Sequence, residues 1–328
     1  MILHGRIPPD APPDEQDVLH EASAVAAALC ELGWEPVELD LTPDLDRAAR
    51  ELAAAAPAVV FNLVESVEGR GRYILLAQAL LETLGIPFTG AGLEAMIHST
   101  SKPAAKRLLG LGGVRTPAWM PAAEAAASAP RFPPPWIVKN AWEHASIGLD
   151  DASVTADAAA LRRAVGRRAA VEGMENLFVE GFVDGREFNL SVLGSRDAEP
   201  DVLPPAEIRF LDFPAGKPRM VGYTAKWDER SPEFGRTPRT FEFPPGDAAL
   251  LADLAAISRR CWHLFGLRGH ARVDFRVDVR GVPWVLEVNA NPCISPDAGF
   301  AAAAARAGLT LRDTVARIVA DTLGKESP

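Results

Sequence analysis

Apolar and polar positions change period repeatedly along the first third of the chain. Residues 15–32 (EQDVLHEASAVAAALCEL) have helix-favouring composition, and Gly33 supplies a stop. Trp34–Leu41 then reads as a short strand, and 58–64 (AVVFNLV) is the β-branched apolar run of a buried strand. Arg72–Leu84 reads as a helix closed by Gly85, followed by a short strand at Ile86–Thr89. Strands alternating with helices in this way predict a parallel sheet covered on both faces.

The middle opens with a helix near 101–110, and a Pro/Ala-rich connection at 121–135 leads to a strand at Trp136–Lys139. A helix is expected at 157–170. Leu177–Val183 and Arg186–Leu193 read as two strands of a hairpin around Asp184-Gly185. The last third predicts a helix at 247–265, strands at 271–278 and 283–289 turned by Arg280-Gly281, and a helix at 310–323. Residues 212–240 are polar and rich in Pro and Gly, the pattern of a long loop serving as a lid.

Length divides these elements among two or three packed lobes, since 328 residues exceed one simple core. Hydrophobic residues at 48% and charged residues at 24% fit a soluble globular protein. A net charge of −10 argues against a nucleic-acid partner. Cys30, Cys261 and Cys293 are too scattered for a disulfide framework or a zinc site. The start lacks a signal peptide and no long uncharged apolar run occurs, so no membrane partner and a cytoplasmic location are expected.

Candidate chemistry concentrates in three stretches. In 271–292 (ARVDFRVDVRGVPWVLEVNANP), strand alternation puts Arg272 and Asp274 on one face, and Glu287 and Asn289 on one face of the next strand. Pairing these strands can gather Asp274, Glu287 and Asn289 beside an arginine, a donor set that suits Mg²⁺ with a phosphate chain; a solvated hairpin face is the plain alternative. In 136–150 (WIVKNAWEHASIGLD), a strand delivers Lys139 to a small-residue loop whose N–H groups can hold phosphates, although strand-end lysines are usually just solvated. In 177–194, Glu180 and Glu187 flank the expected turn and suit an acid–base pair, hydrogen bonding to adenine and ribose, or plain surface charge.

Taken together, the lysine-bearing strand, the small-residue loop, the Glu…Glu pair, a lysine in the long loop and the final R-x-D…E-x-N resemble the ATP-grasp superfamily. Within it, the chain is similar to the D-alanine–D-alanine ligase-like branch. LLETLGIPFTGAG at 80–92, SKPAAKRLLGLGGVRTP at 101–117 and the final hairpin carry most of the likeness. The resemblance implies an α/β ATP-grasp fold of α+β lobes: a Rossmann-like parallel-sheet domain over 1–97, a central subdomain over 98–180 and a metal-bearing subdomain over 181–328.

It also implies roles. Lys102 and Lys139 match lysines on the ATP phosphates, and Ser146 and Gly148 fall in the loop that closes over them. Glu180 matches the residue at the adenine edge and Glu187 the ribose carboxylate. Lys226 matches a lysine on the transferred phosphate. Asp274, Glu287 and Asn289 match ligands of two Mg²⁺ ions, which Mn²⁺ can replace. Arg272 matches the arginine that steadies the tetrahedral intermediate, and Glu15 the acid that meets a substrate amino group. The implied reaction joins a carboxylate to an amine on small-molecule substrates through an acyl phosphate, in a chain that is often a homodimer. Four features depart from the branch pattern: Ala145, Trp227, Ala298 where a serine is expected, and VESVEGRGRY at 64–73. These predict substrates other than D-alanine. A true D-alanine–D-alanine ligase and a non-catalytic nucleotide-binding regulator are the alternatives.

Overall fold

The computed structural model describes residues 1–143, 148–195, 198–214, 216–228 and 230–323. The chain opens with β1 (Ile2–Gly5), α1 (Pro13–Glu31), β2 (Glu38–Leu41), α2 (Leu45–Ala55) and β3 (Phe61–Asn62). The three strands form a parallel sheet in the order β2-β1-β3, as strand–helix alternation predicts. Two expected strands are shorter than their apolar runs. The segment from Trp34 pairs only from Glu38, and Ile86–Thr89 contributes a single bridge, Val60 to Phe88. After Asn62 the chain turns into a polar loop, with Val64 N–H donating to the Asn62 side chain, so no longer ladder forms. Strand β1 and helix α2, capped by Asp44 accepting from Arg47 N–H, were not foreseen.

Helices α3 (Leu75–Leu84), α4 (Leu93–Thr100) and α5 (Lys102–Leu111) lead into the second sheet. Ser101 caps α5 by accepting from Ala104 N–H, and Pro103 sits in its first turn. There follow β4 (Trp119–Pro121), α6 (Ala122–Ala127), β5 (Trp136–Asn140), β6 (Val154–Thr155), α7 (Ala158–Glu172) and β7 (Leu177–Gly181). This antiparallel sheet, ordered β4-β7-β5-β6, packs Trp136, Val138 and Val179 against Leu161 and Val165 of α7.

The third sheet holds β8 (Gly185–Leu193), β9 (Asp201–Val202) and β10 (Ala206–Ile208). After short helices α8 (Tyr223–Trp227) and α9 (Pro232–Gly235) come β11 (Arg239–Thr240), α10 (Ala248–Phe265), β12 (His270–Asp278), β13 (Pro283–Asn289), α11 (Gly299–Arg306) and α12 (Leu311–Leu323). Its path is β11-β10-β8-β12-β13.

The expected hairpin at 177–193 does not form. β7 is flanked by β4 and β5, while β8 is flanked by β10 and β12, so the chain crosses from one sheet to the other at Asp184-Gly185. A turn pair between apolar runs fits both outcomes; which edges are already occupied decides. The pair β12–β13 is a true hairpin, closed by Gly281 N–H donating to Asp278 O. The expected lid at 212–240 is not wholly irregular, since α8, α9 and β11 lie within it.

The lobes share core. Val18 and Val25 of α1 pack with Ile318 and Val319 of α12 and with Leu193 of β8. Among the described residues, no helix is long and apolar enough to cross a membrane.

Candidate active site

The third sheet sets the centre of the site by register. β12 opposes Arg272 to Asn289 and Asp274 to Glu287 on β13, and Asp274 to Asn189 and Arg276 to Glu187 on β8. Alternation then turns these polar side chains to one face, while Phe188, Leu190, Val273, Phe275 and Val288 are buried on the other. Arg272 forks onto Asp274, with Nε 2.7 Å from Oδ1 and Nη2 2.8 Å from Oδ2. Asn189 Nδ2 donates to the same Oδ1 at 2.7 Å. Burial would lower the Arg272 pKa, but the Asp274 carboxylate reverses this and holds it above its ordinary value. Asn189 is a site residue that sequence reasoning missed; strand alternation from Glu187 was the available signal.

Helix α5 presses cations toward the same centre. Lys102 Nζ lies 3.7 Å from Glu287 Oε2 and donates to Glu143 O at 2.7 Å. Glu187 sits 3.3 Å from the Arg276 guanidinium, and burial pushes its pKa up.

The second sheet contributes a buried triad. Pairing of Ile137 with Glu180 puts Glu180 on the face that carries Lys139. Glu180 receives Lys139 Nζ at 2.5 Å and Lys106 Nζ at 2.6 Å. Burial alone would raise the Glu180 pKa, but the two lysines together hold it below its ordinary value. Its carboxylate is therefore committed to the lysines. Lys106 was not foreseen, although it stands four residues from Lys102 on one helix face.

The first lobe adds acids. Glu15, Asp14 and Asp17 of α1 and Glu65 of the loop after β3 line a cavity of about 650 Å³ that also reaches Arg272, Asp274, Glu287 and Asn289. Tyr223 of α8 donates to Asp14 Oδ1 at 2.7 Å, which ties the 212–240 segment down onto α1. Burial, then the charge of Asp14, raises the Glu15 pKa. Burial likewise pushes Glu65 up to about 7 and the Cys293 thiol well above its usual range. Glu21, Glu65 and Cys293 bring ligand-type atoms within 4.8 Å of one another. Glu21 already accepts from Ile294 N–H at 2.6 Å, and Cys293 Sγ donates to Asp17 Oδ2 at 3.3 Å. With the thiol held protonated, these contacts form a hydrogen-bonded knot joining α1 to the turn after β13.

Of the expected site residues, Glu15, Glu187, Lys226, Arg272, Asp274, Glu287 and Asn289 line the cavity. Lys226 also lies 4.8 Å from the Trp227 ring centre, and burial lowers its pKa. Lys102, Lys139 and Glu180 are not among the cavity-lining residues, although Lys102 reaches Glu287, which is. Gly148, at φ +70, backs onto Arg168 of α7. Ser146, His144 and Ala145 lie outside the described residues. From the altered early loop Glu65 enters the cavity, while Arg70 and Arg72 turn outward to flank the Tyr73 ring.

The family model described as D-ala D-ala ligase C-terminus matches residues 117–320. The D-alanine–D-alanine ligase of Moorella thermoacetica is 31% identical over 94% of this chain and 95% of its own length. That of Cupriavidus necator is 32% identical over 92% of this chain and 86% of its own. Among solved structures, the D-alanine–D-alanine ligase of Bacillus anthracis complexed with ATP superposes with a TM-score of 0.72 at 19% identity, covering 98% of this chain and 96% of that one. The D-alanyl-alanine synthetase A of Vibrio cholerae does so at 0.76 and 17%, covering 99% and 98%. The converging cations and carboxylates and these likenesses agree: the chain belongs to the D-alanine–D-alanine ligase family and is an ATP-dependent ligase of the ATP-grasp fold that forms C–N bonds.

Proposed function

We propose that this ligase phosphorylates the carboxylate of one amino acid or amino-acid-like substrate and joins it to the amine of another. The observation that carries the reading is the register of β12, which sets Arg272 and Asp274 directly against Asn289 and Glu287 at the floor of the cavity. ATP lies between the second and third sheets, in the lobes over 98–180 and 181–328, and the lobe over 1–97 closes the substrate side. Lys102, Lys139, Lys226 and the loop containing Ser146 and Gly148 meet its phosphates. Glu187 meets the ribose. The Glu180 carboxylate holds Lys139 in place while its strand borders the adenine.

Asp274, Glu287 and Asn289 fit Mg²⁺, because two partly enclosed carboxylates and an amide oxygen supply the hard donors it prefers. Two such ions would neutralise and orient the phosphate chain. Arg272 and Lys102 pair with those carboxylates and offset their charge.

The chain's own residues supply positioning and charge. Glu15 receives an ammonium group, which orients the first substrate with its carboxylate toward Lys226. Lys226 then faces the phosphoryl group as it passes to that carboxylate. Arg272 stabilises the oxyanion formed when the amine attacks the acyl phosphate; collapse of that intermediate breaks the bond between the acyl carbon and the phosphate oxygen, releases inorganic phosphate and, with loss of the amine proton, leaves the amide. No side-chain nucleophile is needed, and a Cys293 thiol held protonated is unsuited to be one. Ala298 and Cys293 give the acceptor end a different lining from that expected of D-alanine–D-alanine ligases, which supports substrates other than a D-alanine pair.

The test is ADP release from Mg-ATP with D- and L-amino acids, singly and in pairs, with mass spectrometry of the products. Release that needs two substrates and yields a dehydrated conjugate supports the reading. Activity restricted to D-alanine with itself refutes the altered specificity. Tight ATP binding with no release across the panel refutes ligation of amino acids.

A further inference from the structure

The cavity lining mixes acids of α1 and the loop after β3 with two guanidiniums, those of Arg272 and Arg239. These two guanidiniums differ in their engagement. Arg272 spends its fork on Asp274, at 2.7 and 2.8 Å. The Arg239 guanidinium, among the described residues, makes no hydrogen bond and no ion pair.

Its placement follows from the sheet. β11 is the edge strand, pairing Arg239 with Ile208 of β10, and the long side chain reaches across to the start of α11. A Cβ built on Gly299 would stand 3.3 Å from Arg239 Nη2, so the absence of a side chain at 299 leaves the guanidinium its room. Ala298, the N-cap of α11, offers no side-chain hydrogen bond there. Both 298 and 299 line the cavity. Asp297 attracts Arg239 from nearby, but its carboxylate already accepts from Ser295 Oγ at 2.9 Å. Burial first, and then the neighbouring charge of Arg272, lowers the Arg239 pKa, so an anion on this wall would relieve both.

A guanidinium with unspent parallel donors on the wall of a ligation cavity matches a carboxylate, which can take two of those N–H groups at once. We propose that Arg239 is a specificity-determining residue that grips the carboxylate of the amine-donating substrate and so selects α-amino acids over amines that lack one. This rests on the ligase reading and adds to it the chemical class of the second substrate.

The experiment compares D- and L-amino acids with their carboxamides, on wild type and on Arg239→Gln and Arg239→Lys. One readout is binding to the Mg-ADP-loaded protein by thermal shift and calorimetry. The other is acceptor kinetics for every pair that releases ADP. The expected result is that wild type prefers the carboxylate of at least one amino acid over its carboxamide by roughly 10- to 100-fold, the worth of a charge-assisted pair. Arg239→Gln abolishes that preference and raises the acceptor KM by a similar factor, with kcat and the KM for ATP changed less than about twofold. Arg239→Lys keeps part of the preference, because it retains charge without the fork. No carboxylate preference by wild type for any panel member, or the same preference in Arg239→Gln, overturns the proposal. Wild-type ADP release separates that failure from failure of the ligase reading. Unchanged circular dichroism and melting of the variant without ligand show that the edge strand is intact.

Discussion

Replacing Glu180 by glutamine removes one negative charge from a triad that holds two lysines. The Glu180 and Lys106 side chains are each 1% exposed, and the carboxylate oxygens lie 2.6 Å from Lys106 Nζ and 2.5 Å from Lys139 Nζ. At an effective dielectric constant of about 20, opposite unit charges about 4 Å apart attract by about 4 kcal/mol, and the same spacing repels like charges equally. Desolvation absorbs part of this in wild type. In Glu180→Gln two cations face each other with no counter-charge, and breaking such a cluster costs about 3–5 kcal/mol. At about 2–4 °C per kcal/mol for a lobe of this size, melting falls by roughly 6–20 °C.

Two signatures distinguish this cause from ordinary loss of packing. Adding Lys106→Met to Glu180→Gln removes the repulsion and should recover at least about 1 kcal/mol, although Lys106→Met alone destabilises. The single variant should also gain stability as pH rises toward the lysine range. Lys106 is already depressed by burial, and without Glu180 its folded pKa falls further below the unfolded value. The unfolded chain then binds the extra proton, so stability climbs with pH through that window. In wild type the Glu180 pKa is depressed, so its contribution is complete above the unfolded carboxyl value and is lost as pH falls through the folded one. Urea unfolding at pH 7 and pH 9.5 measures the losses in the variants and their rise with pH, and unfolding below pH 4.5 measures the acid limb of wild type. A loss below about 1 kcal/mol for Glu180→Gln, or a double variant weaker than the single, would refute the reasoning.

Three other outcomes are expected. Arg272→Gln should lower kcat by about 10²- to 10³-fold, as for loss of an oxyanion donor, with the fold kept by circular dichroism; a change under tenfold by ADP release would exclude that role. Glu65→Gln should stabilise the protein by about 1–3 kcal/mol at pH 8 and by almost nothing below about pH 4.5, because a carboxyl raised to about 7 penalises folding once the unfolded group has ionised; a difference that does not vary with pH in urea titrations contradicts this. Gly269→Ala should cost about 2 kcal/mol or more, since φ is +70 and the added Cβ would sit 2.9 Å from Gly90 backbone atoms; calorimetric melting within 1 °C of wild type would count against that contact.

The sequence determined a large part of this protein by itself, wherever the signal was local. Period-two alternation in 271–289 set Asp274, Glu287 and Asn289 on facing strands, and the register pairs Asp274 with Glu287. Gly33 and Gly85 marked helix ends correctly, because a left-handed turn is a property of one residue and its nearest neighbours. Tertiary structure decided what depends on partners distant in the chain. The strands at 177–181 and 185–193 joined different sheets, β7 between β4 and β5 and β8 between β10 and β12, and no residue at Asp184-Gly185 encodes that choice. Lys106 became a buried partner of Glu180 only by the tertiary approach of α5 to β7 that brings the two side chains within 2.6 Å. Tyr223 found Asp14 across 209 positions of sequence, and Arg239 reached the wall beside Gly299 only by the placement of an edge strand. Local backbone preference and side-chain period act over a few residues, whereas charge pairing, edge occupancy and cavity lining arise from contacts between distant segments, which a one-dimensional pattern does not contain.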